Sequence, residues 1–200
     1  LALGLLVAAL WGAWRIEPAL LLVLGSYLLL QVVYTLGLKR VPLVDVLVIS
    51  VGFVLRALAG GVAIRVPISP WLLVCTMMLA LFLALCKRRH EKVNLAGRGT
   101  RDALDGYDER LLDLLITMTG TAALVCYALY TLWPETVHKF GTPWLAATIP
   151  FVVFGLFRYM DLVYRQEKGD RPEQLLLTDW PLMLDVALYG LAVLGVLALR

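Results

Sequence analysis

"VDVLVISVGFVLRALAGGVAI", residues 44 to 64, has the length and apolarity of a bilayer-crossing helix. Yet Arg56 stands near its middle and Asp45 near its start. A charge at membrane depth costs about 3 kcal/mol or more, so it needs a partner, a water-filled cavity or a function. Asp45, Ile49, Gly52, Arg56 and Ala59 with Gly60 fall on one stripe of a helix. Val46, Val54, Leu55, Leu58 and Val62 form the opposite side, suited to lipid or to apolar neighbours. The polar and small stripe is therefore expected to line the interior of a bundle. Asp45 and Arg56 lie about 16 Å apart along the axis and cannot pair. Arg56 either ties to a carbonyl or carboxylate of another helix or faces a wet cavity that holds an anion. The glycines also suit close helix packing.

Composition places the rest of the chain in the same solvent. The 200 residues are 61% hydrophobic, with a mean hydropathy of +0.83. A soluble domain is only about half apolar, and one of this size has too little interior to hide the excess. The net charge of +3 is too small to suggest a nucleic-acid partner. Cys75, Cys86 and Cys126 lie in apolar runs without CxxC spacing, and His90 and His138 are the only histidines. Packed thiols are the expectation, rather than a zinc site or a disulfide framework. Walker, GxGxxG and HExxH patterns are missing, and no Ser/His/Asp set can be assembled from two histidines, which disfavours nucleotide-cradling and triad chemistry.

Seven apolar segments can be marked, at about 1–14, 18–37, 43–64, 69–87, 111–133, 144–163 and 180–199. Pro18, Pro42, Pro67, Pro70, Pro134, Pro143 and Pro181 sit at or beside their ends. No alternation long enough for a barrel strand occurs, so the expected fold is an all-α, polytopic membrane helix bundle forming one domain over 1–200. The first segment looks cut short and the chain does not start with Met, which reads as a larger protein truncated at its N-terminus.

Orientation follows from the basic residues. The connectors at 38–42, 87–110 and 164–179 carry twelve Lys and Arg, against Arg15, Arg65, Lys139 and Arg200 on the other side. The positive-inside rule puts the twelve in the cytoplasm. Chemistry is expected there too, because "KRRHEKVNLAGRGTRDALDGYDER" is long and chemically mixed while "WRIEP" and "IRVPISP" are short and spare.

Several constellations stand out at that face. In "CKRRHEK", Lys87, Glu91 and Asn94 share a helical side, with Arg88 adjacent. This is either an exposed helix end with an i,i+4 ion pair or a mouth for a phosphate-rich, metal-chelated ligand. "YTLGLKR" brings Tyr34, Lys39 and Arg40 together, an ordinary interfacial pattern when taken alone. In "FRYMDLVYR", Arg158 and Asp161 are spaced to pair. Asp185 sits just inside the last segment, where a carboxylate favours a helix N-terminus.

"YTLGLKRVPLVDVLVISVGFVLRALAGGVAI", followed by "KRRHE", Tyr107, "FRYMDLV" and "RPEQLLLTDWPL", resembles the UbiA superfamily of intramembrane prenyltransferases over the whole length. Within it the chain is most similar to the phosphoribosyltransferase branch, which acts on decaprenyl phosphate. The K-x5-D-x6-GF-x2-R-x3-G run with KRxxE is fairly specific to that branch. Members have nine helices, so the seven segments would be the third to the ninth. The first Asp-rich motif, which holds magnesium on the diphosphate, is absent from this chain, so its metal ligands are unknown and the chain alone would be inactive.

In place of a second DxxxD the loop offers Lys87, Arg88 and Glu91, as that branch does. The resemblance implies Mg2+-dependent transfer of 5-phosphoribose from phosphoribosyl diphosphate to a polyprenyl phosphate. Pyrophosphate would be released and an arabinose-donor precursor for cell envelopes made, at the cytoplasmic side of a bacterial plasma membrane. Lys39, Arg56, Lys87 and Arg88 would bind phosphates, and Asp45 and Glu91 would orient those bases or a metal-bound water. Tyr34, Asn94, Tyr107 and Arg158 are further substrate-binding candidates, and assembly into homo-oligomers is left open. The alternatives are a UbiA-type prenyltransferase acting on an aromatic or haem-type acceptor, and a transporter or channel subunit with Arg56 in its path. The latter predicts polar residues at both membrane faces.

Overall fold

A computed structural model describes residues 2–94, 106–165 and 172–198. These residues are helical throughout their length-spanning elements, and no strand occurs among them. The helices run in chain order as α1 (Ala2–Ile16), α2 (Pro18–Leu36), α3 (Val44–Ala63), α4 (Pro70–Asn94) and α5 (Glu109–Leu132). They continue as α6 (Pro134–Phe140), α7 (Ile149–Arg165), α8 (Pro172–Thr178) and α9 (Trp180–Ala198). Six spans are long and apolar enough to cross a membrane: those of α2, α3, α4, α5 and α9, and Pro143–Arg165, in which α7 is extended by the turn before it. At 15 residues α1 is shorter than the roughly 20 that a span needs. The all-α membrane bundle expected from the sequence is therefore the fold, and the protein is an integral membrane protein.

The element boundaries differ from the apolar segments for physical reasons. The segment at 69–87 continues as helix to Asn94, because the Lys, Arg and Glu that end its apolar run are good helix formers. The segment at 144–163 opens as a 3₁₀ turn, Pro143–Thr148, before α7. The short helices α6 and α8 lie in connectors and are too polar or too brief to register as apolar runs.

Each spanning helix packs chiefly on its neighbours in sequence, and α4 with α5 forms the most extensive pair. Phe82, Leu112, Ile116, Leu162 and Val163 make the centre of the core. Val46, expected on the side away from the polar stripe, is buried in that core rather than turned to lipid. Leu22, Leu29, Met118, Leu191 and Leu194 are broadly exposed, as an apolar solvent allows.

The two ends of the bundle differ. At one, Arg65 pairs with Glu17 at 3.0 Å and donates to the Ile16 carbonyl at 3.3 Å, while Trp71 and Trp133 pack with ring centroids 5.2 Å apart. At the other, called here the basic end, the C-termini of α2, α4 and α7 meet the N-termini of α3, α5 and α9. The remaining ion pairs among the described residues gather there.

Candidate functional site

The site at the basic end is built around a turn. Val44 N–H donates to the Pro42 carbonyl at 2.8 Å, closing a γ-turn with Leu43 at its centre. Leu43 has φ 67° and ψ −40°, the half of conformational space that L-residues avoid. Such a residue costs about 1–3 kcal/mol and persists only where its surroundings impose it. Here Tyr107 does so, its hydroxyl accepting the Leu43 N–H at 2.7 Å. Gly106 makes this approach feasible, since a Cβ there would run into the Pro42 ring. Asp108 then caps α5 by accepting from Leu111 N–H at 3.2 Å, which fixes where the helix starts and so where Tyr107 stands.

Asp45, in the first turn of α3, is fully buried. One carboxylate oxygen accepts the Tyr107 hydroxyl at 2.7 Å and the other accepts Arg88 Nε at 2.7 Å. Arg88, 3% exposed, also donates through a terminal nitrogen to Glu91. Two carboxylates thus share one guanidinium, leaving the trio with an excess negative charge beside the neutral phenol. Burial and the Asp45 carboxylate push the Tyr107 hydroxyl well above its ordinary pKa, so it remains a proton donor.

The run "KRR" distributes its charges by helical geometry. Arg88 turns toward α3, and Arg89, one residue on, turns toward α5 and α7. Arg89 Nε donates to Asp113 at 2.6 Å, its guanidinium lies 4.0 Å over the Tyr164 ring, and Tyr164 donates to the same carboxylate at 2.9 Å. Lys87 is half-buried, and so is Lys39 in the turn Leu38–Arg40; neither has a partner among the described residues. A third cluster joins α7 to α9. Arg158 engages Asp179 through two nitrogens, at 3.0 and 2.7 Å, and Asp161 at 2.9 Å. Asp179 also accepts Leu182 N–H at 3.1 Å and so caps α9.

The structure therefore unites Asp45, Arg88, Glu91 and Tyr107. It places Arg158 in a tie between helices, with Asp161 as the spacing implied and Asp179 in addition. Glu91 pairs with Arg88 instead of Lys87, because the guanidinium fork reaches Glu91 and Asp45 together. Tyr34 is half-buried in the last turns of α2 without a partner among the described residues. The side chain of Asn94 lies outside the described residues.

Arg56 is away from this cluster. It is exposed, donates to the Tyr27 hydroxyl at 2.9 Å, and lies 5.4 and 4.9 Å from the Tyr27 and Phe53 ring centres. Asp113, Asp179 and Tyr27 escaped the sequence reading. Asp108 and Asp179 did carry a signal, each standing just before a helix start in the manner of an N-cap. The three cysteines are free thiols.

An all-α bundle of membrane-spanning helices with its carboxylates and guanidinium groups gathered at one end is the setting of the family to which this chain belongs: residues 1–180 match the UbiA prenyltransferase family. Among curated proteins, the chain is 35% identical over 193 residues to a decaprenyl-phosphate phosphoribosyltransferase of Mycobacterium tuberculosis, covering 94% of this chain and 62% of that one. Proteins of the same name from Mycolicibacterium smegmatis and Corynebacterium glutamicum are each 34% identical. The matches cover 88% and 80% of this chain, and 58% and 49% of theirs. The chain thus spans less than two thirds of the relatives' own length.

Proposed function

We propose that the protein moves 5-phosphoribose from phosphoribosyl diphosphate to a polyprenyl phosphate, releasing pyrophosphate at the cytoplasmic face of a bacterial plasma membrane. The observation that carries this reading is the pairing of a hydrogen-bonded Asp45–Arg88–Glu91–Tyr107 frame with Lys39 and Lys87, cations left unpaired among the described residues at the same end. Its support from relatives is the activity for which the mycobacterial and corynebacterial proteins are named.

In the proposed reaction an acceptor phosphate oxygen forms a bond to the anomeric carbon of ribose as the bond from that carbon to pyrophosphate breaks. The acceptor is already an anion and needs no general base. What the reaction needs is positive charge where pyrophosphate departs, and fixed cations in a poorly hydrated mouth supply it without reorganising. Lys39 and Lys87 take that role. Arg88 is occupied by two carboxylates, so it sets the position of α4 against α3, and with it the direction in which Lys87 points.

Among the described residues no three His, Cys, Asp or Glu side chains gather as a metal site, and Asp45 and Glu91 are engaged by Arg88. The described residues thus supply cations to the diphosphate and are not themselves a magnesium cage. Dependence on Mg2+ remains part of the proposal.

The test is to purify the complete protein and supply phosphoribosyl diphosphate with decaprenyl phosphate, with and without Mg2+ and a chelator. Phosphoribosylated lipid and stoichiometric pyrophosphate are expected, with loss of both in chelator. Turnover of a prenyl diphosphate with an aromatic acceptor, and none of phosphoribosyl diphosphate, would overturn the reading in favour of prenyl transfer.

A further inference from the structure

A separate cavity of about 390 Å³ lies among α4, α5, α7 and α9, with α8 contributing to one wall. It shares no residue with the Asp45–Arg88 site. Its walls are apolar, with Leu79, Phe82, Val152 and Leu182 among them, and its volume falls toward the lower end of the roughly 300–1,000 Å³ of small-molecule sites.

One residue does not fit an inert packing void. Asp185 lines the cavity from α9, is only 9% exposed, and has no hydrogen-bond or ion-pair partner among the described residues. It is not the cap of α9, because Asp179 already fills that place. Across from it stands Gly155 of α7, where a Cβ would come within 3.1 Å of the Asp185 Oδ2. The glycine keeps open the space in front of the carboxyl. A carboxyl stranded in an apolar wall is costly unless something hydrogen-bonds to it.

We propose that this cavity binds a single-chain amphiphile with a hydroxyl head. The apolar chain would lie along Leu79, Phe82 and Val152, and the hydroxyl would donate to Asp185 beside Gly155. A hydroxyl is the head the site selects, since it donates to a carboxyl oxygen in either charge state and brings no second charge to be desolvated. A phosphate head would carry its own negative charge into an apolar wall that holds no cation, a desolvation cost a hydroxyl does not bring. The site does not depend on the phosphoribosyl reading and stands or falls separately from it.

The experiment uses the complete protein in nanodiscs with a diazirine-bearing dodecanol, its methyl ether and the matching dodecylamine, and maps the crosslinks by mass spectrometry. The alcohol should label cavity residues of α7 and α9 about three- to tenfold more than the ether, the factor one net neutral hydrogen bond supplies. Asp185→Leu should erase that difference, Asp185→Asn should keep part of it, and Gly155→Leu should remove labelling by all the probes. Equal labelling by alcohol and ether would overturn the proposal, as would an alcohol preference that survives Asp185→Leu. Preferential labelling by the amine would overturn the choice of a hydroxyl head. Loss of phosphoribosyl transfer with the alcohol preference intact would leave this site standing and refute the other.

Discussion

Replacing Arg88 by Met removes the one cation that the buried Asp45 and the half-buried Glu91 share. Asp45 is fully buried and would keep only the Tyr107 hydroxyl, while the more peripheral Glu91 could turn toward water. Breaking a buried pair from one side costs about 3–5 kcal/mol, because it strands the other charge. Asp45→Asn is the milder change. Arg88 keeps Glu91, and the amide oxygen can still accept from either Tyr107 or Arg88 Nε but not with the strength of a carboxylate, so about 1.5–3 kcal/mol should be lost. In the double variant the stranded carboxylate is gone, and the penalties should fall short of additivity by about 1–3 kcal/mol. Unfolding of the complete protein in mixed detergent micelles measures all three. If Arg88→Met costs no more than Asp45→Asn, or the two effects add, the buried ion trio is not what joins α3 to α4 and the reasoning is refuted.

Tyr107→Phe deletes both the donor to Asp45 and the acceptor for Leu43 N–H, so a loss of about 1–3 kcal/mol is expected. The Tyr107 pKa is raised in the folded state, so its contribution is complete below the ordinary phenol value near 10 and is lost as pH rises through the folded value. The Phe variant's deficit should therefore be flat from about pH 6 to 9 and shrink above about 10 in unfolding measurements. Gly106→Ala should cost about 1–3 kcal/mol by forcing Pro42 and Tyr107 apart, and it should lower activity together with stability; full stability would show that the contact yields freely.

For Arg56, Arg56→Met should lower kcat/KM about ten- to a hundredfold if the guanidinium holds a phosphate, with Arg56→Lys recovering part. Unchanged kinetics with reduced stability would mark it as the tie to Tyr27 alone. An Arg110→Cys variant, at an exposed position just inside α5, should react with an impermeant thiol reagent from the cytoplasmic side only, and labelling from outside would invert the proposed orientation.

Periodicity and proline placement made the helices legible, since an apolar solvent demands long runs that leave little ambiguity. The site was legible one residue at a time. Asp45, Arg88 and Glu91 each stood out as a charge near a membrane boundary, while Tyr107 came through the family resemblance. Their union depends on how α3 and α4 are rotated against each other, which single-helix spacing does not encode. Spacing alone would join Lys87 to Glu91, whereas burial turns Arg88 inward, where its fork satisfies two acceptors and the Lys ammonium would satisfy one. Arg56 was read from the stripe it shares with Asp45, yet the stripe meets different neighbours along its length: Arg88 and Tyr107 at its start, and Tyr27 of α2 further on. Asp185 looked like a helix-terminus charge because it lies close to the start of α9, and only the position of Asp179 shows that the cap is already filled.

The 25 residues of α4 carry a consequence for the lipid around it. At about 1.5 Å per residue the helix is about 37 Å long, against about 30 Å for an average hydrocarbon core. The excess of about 7 Å amounts to roughly the last five residues. Were α4 to cross the bilayer from its Pro70 end, Arg88 would stand close to the plane where acyl chains give way to headgroups, with Lys87 able to reach upward into them. A thicker bilayer would draw the trio beneath that plane and lengthen the reach Lys87 must make, while a thinner one would tilt α4 and shear it against the γ-turn at Leu43. A change in bilayer thickness would thus bear on the site through a single helix, at a cost of fractions of a kcal/mol for each ångström of mismatch.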